Sequence, residues 1–263
     1  MYIKRTLVTA ALFGLGGMFS LTSMADEAAT PESPHAYSAN IGLYSQYVWR
    51  GMTQTGKQPA LQGGVDYAHG SGFYAGAWVS NVSWLKDGDA SLYKSGGTVE
   101  LDLYGGYGGE FGETGIGYDL GAIQYLYPGS KRSGNPNAHA TELYAGLSYG
   151  WLSAKYSHAV SDDAWGVDDA RGTAYYEVNA DIPLGDSGFS LDLHVGSFKY
   201  DGKAGGVDNG EYDYEDWKIG LTKAWKNGVN IGGHWTDNNA DKSDGWVREM
   251  TEGQFTMFVQ KVF

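Results

Sequence analysis

In the stretch Ile41-Gly42-Leu43-Tyr44-Ser45-Gln46-Tyr47-Val48-Trp49-Arg50-Gly51, apolar and polar positions alternate almost one by one. Side chains of an extended chain point to opposite faces in turn. Ile41, Leu43, Tyr47 and Trp49 therefore share one side, and Asn40, Tyr44, Gln46 and Arg50 share the other. The pattern predicts a strand running to about Gly51. The same period recurs along the chain. Leu61, Gly63, Val65 and Tyr67 oppose Gln62, Gly64 and Asp66; Val99, Leu101, Leu103 and Tyr107 oppose Glu100, Asp102 and Tyr104; Ile116, Tyr118, Leu120 and Ala122 oppose Asp119. Leu143, Ala145, Leu147 and Tyr149 oppose Glu142, Tyr144 and Ser148; Leu152, Ala154 and Tyr156 oppose Ser153, Lys155 and Ser157; Tyr176, Val178 and Ala180 oppose Tyr175, Glu177, Asn179 and Asp181. Phe189, Leu191, Leu193 and Val195 face away from Asp192 and His194, and Trp217, Ile219 and Leu221 from Lys218 and Thr222. Val229, Ile231 and Trp235 oppose Asn230, His234 and Thr236, and Phe255, Met257, Val259 and Phe263 oppose Thr256, Phe258 and Gln260. With Phe73 to Val82, where Ala and Gly blur the facing, this makes about twelve strands.

The connections carry a second pattern. From the first strand onward they alternate long and short, the long ones charged and the short ones tight and Gly-containing, as in Lys226-Asn227-Gly228. A β-sandwich has no reason to segregate loop lengths in this way. An up-and-down barrel in an outer membrane does, with short periplasmic turns, longer extracellular loops and an even strand number. The fold expected is therefore all-β, a transmembrane antiparallel up-and-down barrel of about twelve strands.

Composition agrees, with 41 Gly, 20 Tyr and 9 Trp beside 6 Pro. No segment beyond the amino terminus approaches the roughly 18 apolar residues of a spanning helix. Lys4 and Arg5, an apolar stretch from Thr6 to Thr22 and the small-residue exit Ser23-Met24-Ala25 read as a Sec-type export signal cleaved after residue 25. Residues 26–35 then form a periplasmic leader and 36–263 a single barrel domain. Loss of Lys4 and Arg5 moves the formal charge from −13 to −15. So acidic a chain is a poor partner for nucleic acid or anionic lipid. Without cysteine there is no disulfide or thiolate metal site.

If the apolar faces meet lipid, the opposite faces line a lumen. Its expected lining is Asp66, Glu100, Asp102, Asp119, Glu142, Glu177, Asp181 and Asp192, with His194, against Arg50, Lys155 and Lys218. Such carboxylates favour cations. The alternative is that the three basic residues pair with the acids and partly plug a narrow barrel. Aromatic residues at strand ends are expected as two membrane-interface girdles: Trp49, Trp84, Tyr127, Trp217 and Trp235 at the long-loop end, and Tyr149, Trp151, Trp225 and Phe263, with Tyr67 and Tyr107, at the short-turn end.

Tyr47-Val48-Trp49-Arg50-Gly51, Gln58 to Gly64 and Gly72 to Asn81, continued in Tyr118 to Gly121, Tyr127-Pro128-Gly129 and Glu142 to Gly150, resemble the TorF-like family of putative porins. The resemblance implies an outer-membrane barrel and brings no catalytic residues with it. Terminal Phe263 with Phe255, Met257 and Val259 also resembles the C-terminal signature through which the barrel assembly machinery selects its clients. Lys261 departs from it, standing where an apolar residue is usual.

The function expected is an outer-membrane porin or channel for passive diffusion of small solutes or ions, weakly cation-selective, with outer-membrane lipid and lipopolysaccharide as surroundings. The alternative is a non-conducting structural or adhesive barrel acting through acidic loops. Ser157-His158 and His194 supply the residue types of a barrel hydrolase, without a nucleophile elbow or a His-Glu-x-x-His motif. No catalytic residue, cofactor or metal ligand is assigned. Asp237-Asn238-Asn239-Ala240-Asp241 has the alternation of a calcium loop, but Lys242 and Arg248 stand where Gly and Glu are needed. Asp162, Asp163, Asp168 and Asp169, or Asp213, Glu215 and Asp216, are further acidic groups that could bind divalent ions beside lipopolysaccharide.

Overall fold

The computed structural model describes residues 33–86, 91–241 and 250–263. The export segment and most of the leader lie outside the described residues. Twelve antiparallel strands, β1 to β12, close into one barrel in sequence order, with the last pairing back on the first. They are β1 His35–Tyr44, β2 Ala60–His69, β3 Phe73–Asn81, β4 Val99–Glu110, β5 Ile116–Leu126 and β6 Ala140–Tyr149. The second half comprises β7 Leu152–Ala159, β8 Ala174–Pro183, β9 Phe189–Lys199, β10 Tyr214–Ala224, β11 Val229–Asn238 and β12 Gln254–Val262. The seam joins Asn40 to Val262 and Tyr44 to Phe258 in register.

Closure satisfies the backbone groups of every wall strand, which lipid cannot do. Alternation then decides the faces. The outward set keeps its apolar side chains exposed: Leu43 at 55%, Leu120 at 55% and Ile219 at 47% lie on three separate sectors of the wall. A contiguous exposed apolar surface of this kind is foreign to soluble monomers. Long connections (45–59, 82–98, 127–139, 160–173, 200–213, 239–253) all leave one end of the barrel, and short ones (70–72, 111–115, 150–151, 184–188, 225–228) leave the other. At the loop end, Tyr93–Gly96 pairs with Gly129–Lys131, tying two neighbouring loops together.

The expected first strand is too long. The wall strand ends at Tyr44, and Ser45 is where the chain leaves it. The Ser45 backbone N–H donates to Met257 O at 2.8 Å, and its hydroxyl accepts the Met257 N–H at 2.9 Å. Gln46 Nε2 reaches Phe255 O at 3.1 Å. Side chains thus take over the ladder of β12, and the backbone is free to turn into the barrel. Val48–Trp49 then pairs with Met52–Thr53 as a small hairpin. Its tip is Arg50-Gly51, with φ of 44° and 80°, the positive pair that a two-residue type I′ turn requires.

Candidate functional site

The hairpin places Arg50 inside the loop-end mouth of the lumen. Its guanidinium makes two parallel hydrogen bonds to the β6 carboxylate, Nη1 to Glu142 Oε1 at 2.9 Å and Nη2 to Oε2 at 2.8 Å. Both side chains are buried, at 7% and 1% exposure. Tyr125 of β5 donates a third bond to Glu142 Oε2 at 2.9 Å. The guanidinium lies 4.4 Å from the Trp49 ring centre, 4.3 Å from Tyr175 and 4.8 Å from Phe198. A planar cation suits both the fork and the ring faces. Burial works against the Arg50 charge, but Glu142 and the neighbouring groups outweigh it and hold the guanidinium above its ordinary value.

The hairpin backbone is held from other sectors. Tyr214 of β10 donates to Arg50 O at 2.8 Å, and Asn238 of β11 and Gln254 of β12 donate to Gly51 O at 2.8 and 3.3 Å. Tyr47 donates to Glu100 of β4 at 2.9 Å and packs edge-on against Trp78 of β3. One loop is therefore anchored around most of the circumference. Residues 51–55 are all buried beneath it.

Below the hairpin the inward groups divide by sector. On β2 to β5, Asp66, Glu100 and Asp119 meet tyrosine hydroxyls instead of cations. Tyr104 donates to Asp66 at 2.5 Å, and Tyr74 donates to Asp119 at 2.6 Å while also touching the Tyr144 hydroxyl at 2.5 Å. Asp102 is fully buried, and neither of its oxygens is reached by a protein donor; its neighbour is the Glu100 carboxyl. On β6 to β10, Glu142 and Glu177 are paired with cations. Besides Arg50 with Glu142, Lys155 binds Glu177 at 2.9 Å. His194 Nε2 faces Asp216 at 3.0 Å and its Nδ1 faces Asn179 Oδ1 at 2.6 Å. Asn179 Nδ2 donates to Glu177, fixing that amide, so Nδ1 of the imidazole donates to Asn179 Oδ1, while Nε2 also meets the Tyr175 hydroxyl at 2.9 Å. Asp181 and Asp192 face each other in register, and Ser190 and Thr222 donate to Asp192. Among the described residues Lys218 forms no ion pair, standing within electrostatic reach of Asp181 and His234.

Of the twelve side chains expected to line the lumen, Arg50 is carried by the hairpin and the other eleven stand on wall strands at positions alternating with the exposed apolar set. The girdle assignment needs correction at three positions. Trp49 packs inside against Tyr125, Trp165 and Phe198. Tyr127 is 2% exposed, and Trp84 packs edge-on against it. These three sit in loops that fold over the mouth, so they cover the lumen instead of meeting lipid. Trp217, Trp235, Tyr149, Trp151, Trp225 and Phe263 project outward at the two ends. The acidic loop groups do not converge. Asp162 pairs with Arg171, Asp163 accepts the Asn137 N–H, and no three carboxylate or imidazole groups among the described residues gather as a metal site. The calcium-like run from Asp237 extends into residues outside the described set.

Asp216, expected among the loop acids before Trp217, instead lies on β10 and shares the inward parity of Lys218. Several inward tyrosines lie flat on the wall because an inward glycine stands beside each. Ideal Cβ atoms built on Gly76 and Gly121 would strike the Tyr104 and Tyr144 rings. Only glycine permits that close approach, and it keeps these rings out of the lumen.

A closed barrel with an apolar outer wall, a charged inner wall and one inward-folded loop has the architecture of outer-membrane porins. Across residues 28–263 the chain matches the family described as "Bacterial protein of unknown function (Gcw_chp)", and it belongs to that family. No curated protein matches it. Among solved structures it is similar to the KdgM porin, with TM-score 0.52 and 11% identity over 86% of this chain and 99% of that one. A second structure of the KdgM porin, in complex with disordered oligogalacturonate, gives the same values. An outer membrane channel from Pseudomonas putida F1 covers 90% of this chain and 100% of its own at 14% identity, with TM-score 0.44. At such identities the likeness shows the fold.

Proposed function

We propose that the protein is an outer-membrane channel for passive diffusion of small solutes or ions, weakly cation-selective, and narrowed at its outer mouth by the Arg50 hairpin. The loop end faces outward and the turn end faces the periplasm. The observation that carries the reading is the uneven pairing of inward charge. Asp66 of β2 and Asp119 of β5 are bonded to tyrosines and form no ion pair among the described residues, so their charge is not cancelled by a contacting protein cation and the field in the lumen attracts cations. Neighbours of known fold are porins, and the TorF-like resemblance points the same way.

A polyanion such as the oligogalacturonate of the KdgM complex does not suit this lumen, because its carboxylates would meet a surplus of like charge. Reversal potential in a KCl gradient across a planar bilayer tests the proposal. The expected sign is cation-selective; an anion-selective potential would overturn the selectivity. A second reading, a structural or adhesive barrel that does not conduct, is favoured by the hairpin's many anchors. It is supported if wild type and Arg50→Ala are both silent.

A further inference from the structure

Lys261, the residue out of place in the C-terminal signature, lies on the outer wall. It follows Phe255, Met257 and Val259 on the lipid-facing side of β12 and stands opposite Ile41 and Val229. Lys223 holds the corresponding place on β10, two residues beyond Leu221 and opposite Ile231 and Phe189. Lys226 is exposed in the turn between β10 and β11. At the turn end Lys223 and Lys261 are the Lys, Arg, Asp or Glu side chains that the described outward wall carries.

Their ammonium groups do not stay at the level of the apolar wall. Lys223 Nζ bonds to Ser187 O and Lys261 Nζ to Asn227 O, both in periplasmic turns. Lys223 passes over Phe189 at 4.9 Å and Trp225 at 5.5 Å, and Lys261 over Phe263 at 5.2 Å. This is snorkelling to the membrane surface along aromatic stems. Each ammonium has three donors, and the turn carbonyl takes one. Asp186, the carboxylate of the adjoining turn, forms no ion pair with them among the described residues. Exposed Leu221, Ile231, Val259 and Ile41 continue the same face toward the membrane centre.

We propose that Lys223, Lys226 and Lys261 form a binding site for the phosphate of an anionic phospholipid in the periplasmic leaflet, its acyl chains lying on the apolar wall above. Net charge argues against such a ligand for the chain as a whole. The fold reverses that locally by bringing three cations from two strands and a turn to one rim. The inference uses the membrane orientation given above but does not depend on conduction.

Native mass spectrometry of the detergent-solubilised barrel, titrated separately with phosphatidylglycerol and phosphatidylethanolamine, tests it. Wild type is expected to bind phosphatidylglycerol at least tenfold more tightly, each lysine contributing roughly fivefold. Lys223→Gln/Lys226→Gln/Lys261→Gln should lose the preference, and Lys131→Gln/Arg132→Gln, on an extracellular loop, should keep it. Heat-modifiable gel mobility reports that each variant is folded. If the triple variant does not fold, Lys226→Gln alone and 0.5 M NaCl, which screens the contact to ~4 Å, serve the same purpose. Equal binding of the two lipids by wild type, or a preference that survives the triple substitution, overturns the proposal.

Discussion

Replacing Arg50 by Ala tests the central contact of the lumen. The substitution leaves Glu142 buried at 1% exposure, with the Tyr125 hydroxyl as its remaining hydrogen-bond donor of those described above. Removing one partner of a buried pair costs about 3–5 kcal/mol, chiefly because the remaining charge is stranded. Loss of the guanidinium from between the Trp49, Tyr175 and Phe198 rings adds about 1–2 kcal/mol. Against this stand the three donors to Arg50 O and Gly51 O and the Tyr47 bond to Glu100. At about 1 kcal/mol each, these total roughly the same amount. With loss and retained anchors nearly balanced, the seated hairpin should fall from dominant to a population comparable with the released one, about 4 kcal/mol shifting the equilibrium by roughly a thousandfold. Single-channel recording is expected to show larger cation conductance in Arg50→Ala, with Arg50→Lys between it and wild type because an ammonium cannot make the double bond. Urea midpoints of the wild type, both single variants and Arg50→Ala/Glu142→Ala give the coupling directly. Unchanged conductance together with a coupling below about 1 kcal/mol would refute the reasoning.

Gly51→Ala should open the same mouth without changing charge. Its φ is 80° and the new Cβ would lie 2.5 Å from Asp216 Cβ, a cost of about 1–3 kcal/mol readable as a lower urea midpoint. Gly76→Val should narrow the lumen by lifting Tyr104 off the wall and breaking its bond to Asp66, so conductance falls while the barrel still shows heat-modifiable mobility. Asp66→Asn/Asp119→Asn should move the KCl reversal potential toward zero, whereas Asp162→Asn, out on a loop beside Arg171, should not. In the third long loop His139 Nδ1 accepts the Tyr127 N–H at 2.9 Å, and burial holds the ring below its ordinary value. Its contribution is intact above about pH 6.5 and is lost as pH falls below that, because the unfolded ring then binds more protons. The urea midpoint should accordingly drop between pH 7.5 and 5.5, and His139→Gln should flatten that slope.

The wall was legible in the sequence because two independent patterns described it. Alternation assigned faces strand by strand, and the long-short order of connections set the topology. The hairpin was not legible for the same reason. Tyr47 and Trp49 continue the parity of Ile41 and Leu43 beyond the point where Ser45 leaves the wall, and a period of two cannot distinguish a wall strand from a hairpin folded inside it. Arg50-Gly51 between two β-prone pairs was the available clue, although Arg is an uncommon first residue for such a turn. Trp84 and Tyr127 show a related limit: placing an aromatic in a loop does not say whether that loop faces lipid or covers the mouth. The division of the lumen into a tyrosine-bonded sector and an ion-paired sector depends on contacts between neighbouring strands, so it emerges only once the register is known.

The anchors of the hairpin also bear on the order of assembly. Arg50 meets Glu142 from 92 positions away, and Gly51 meets Gln254 from 203. Contacts separated so widely along the chain form late, after loop closure has been offset by nearer pairings. The plug is built from the beginning of the chain but can find its full seat only when the last strand is in place. During folding the nascent barrel should pass through a stage with an unobstructed mouth, and seating of the hairpin would then mark completion of the seam.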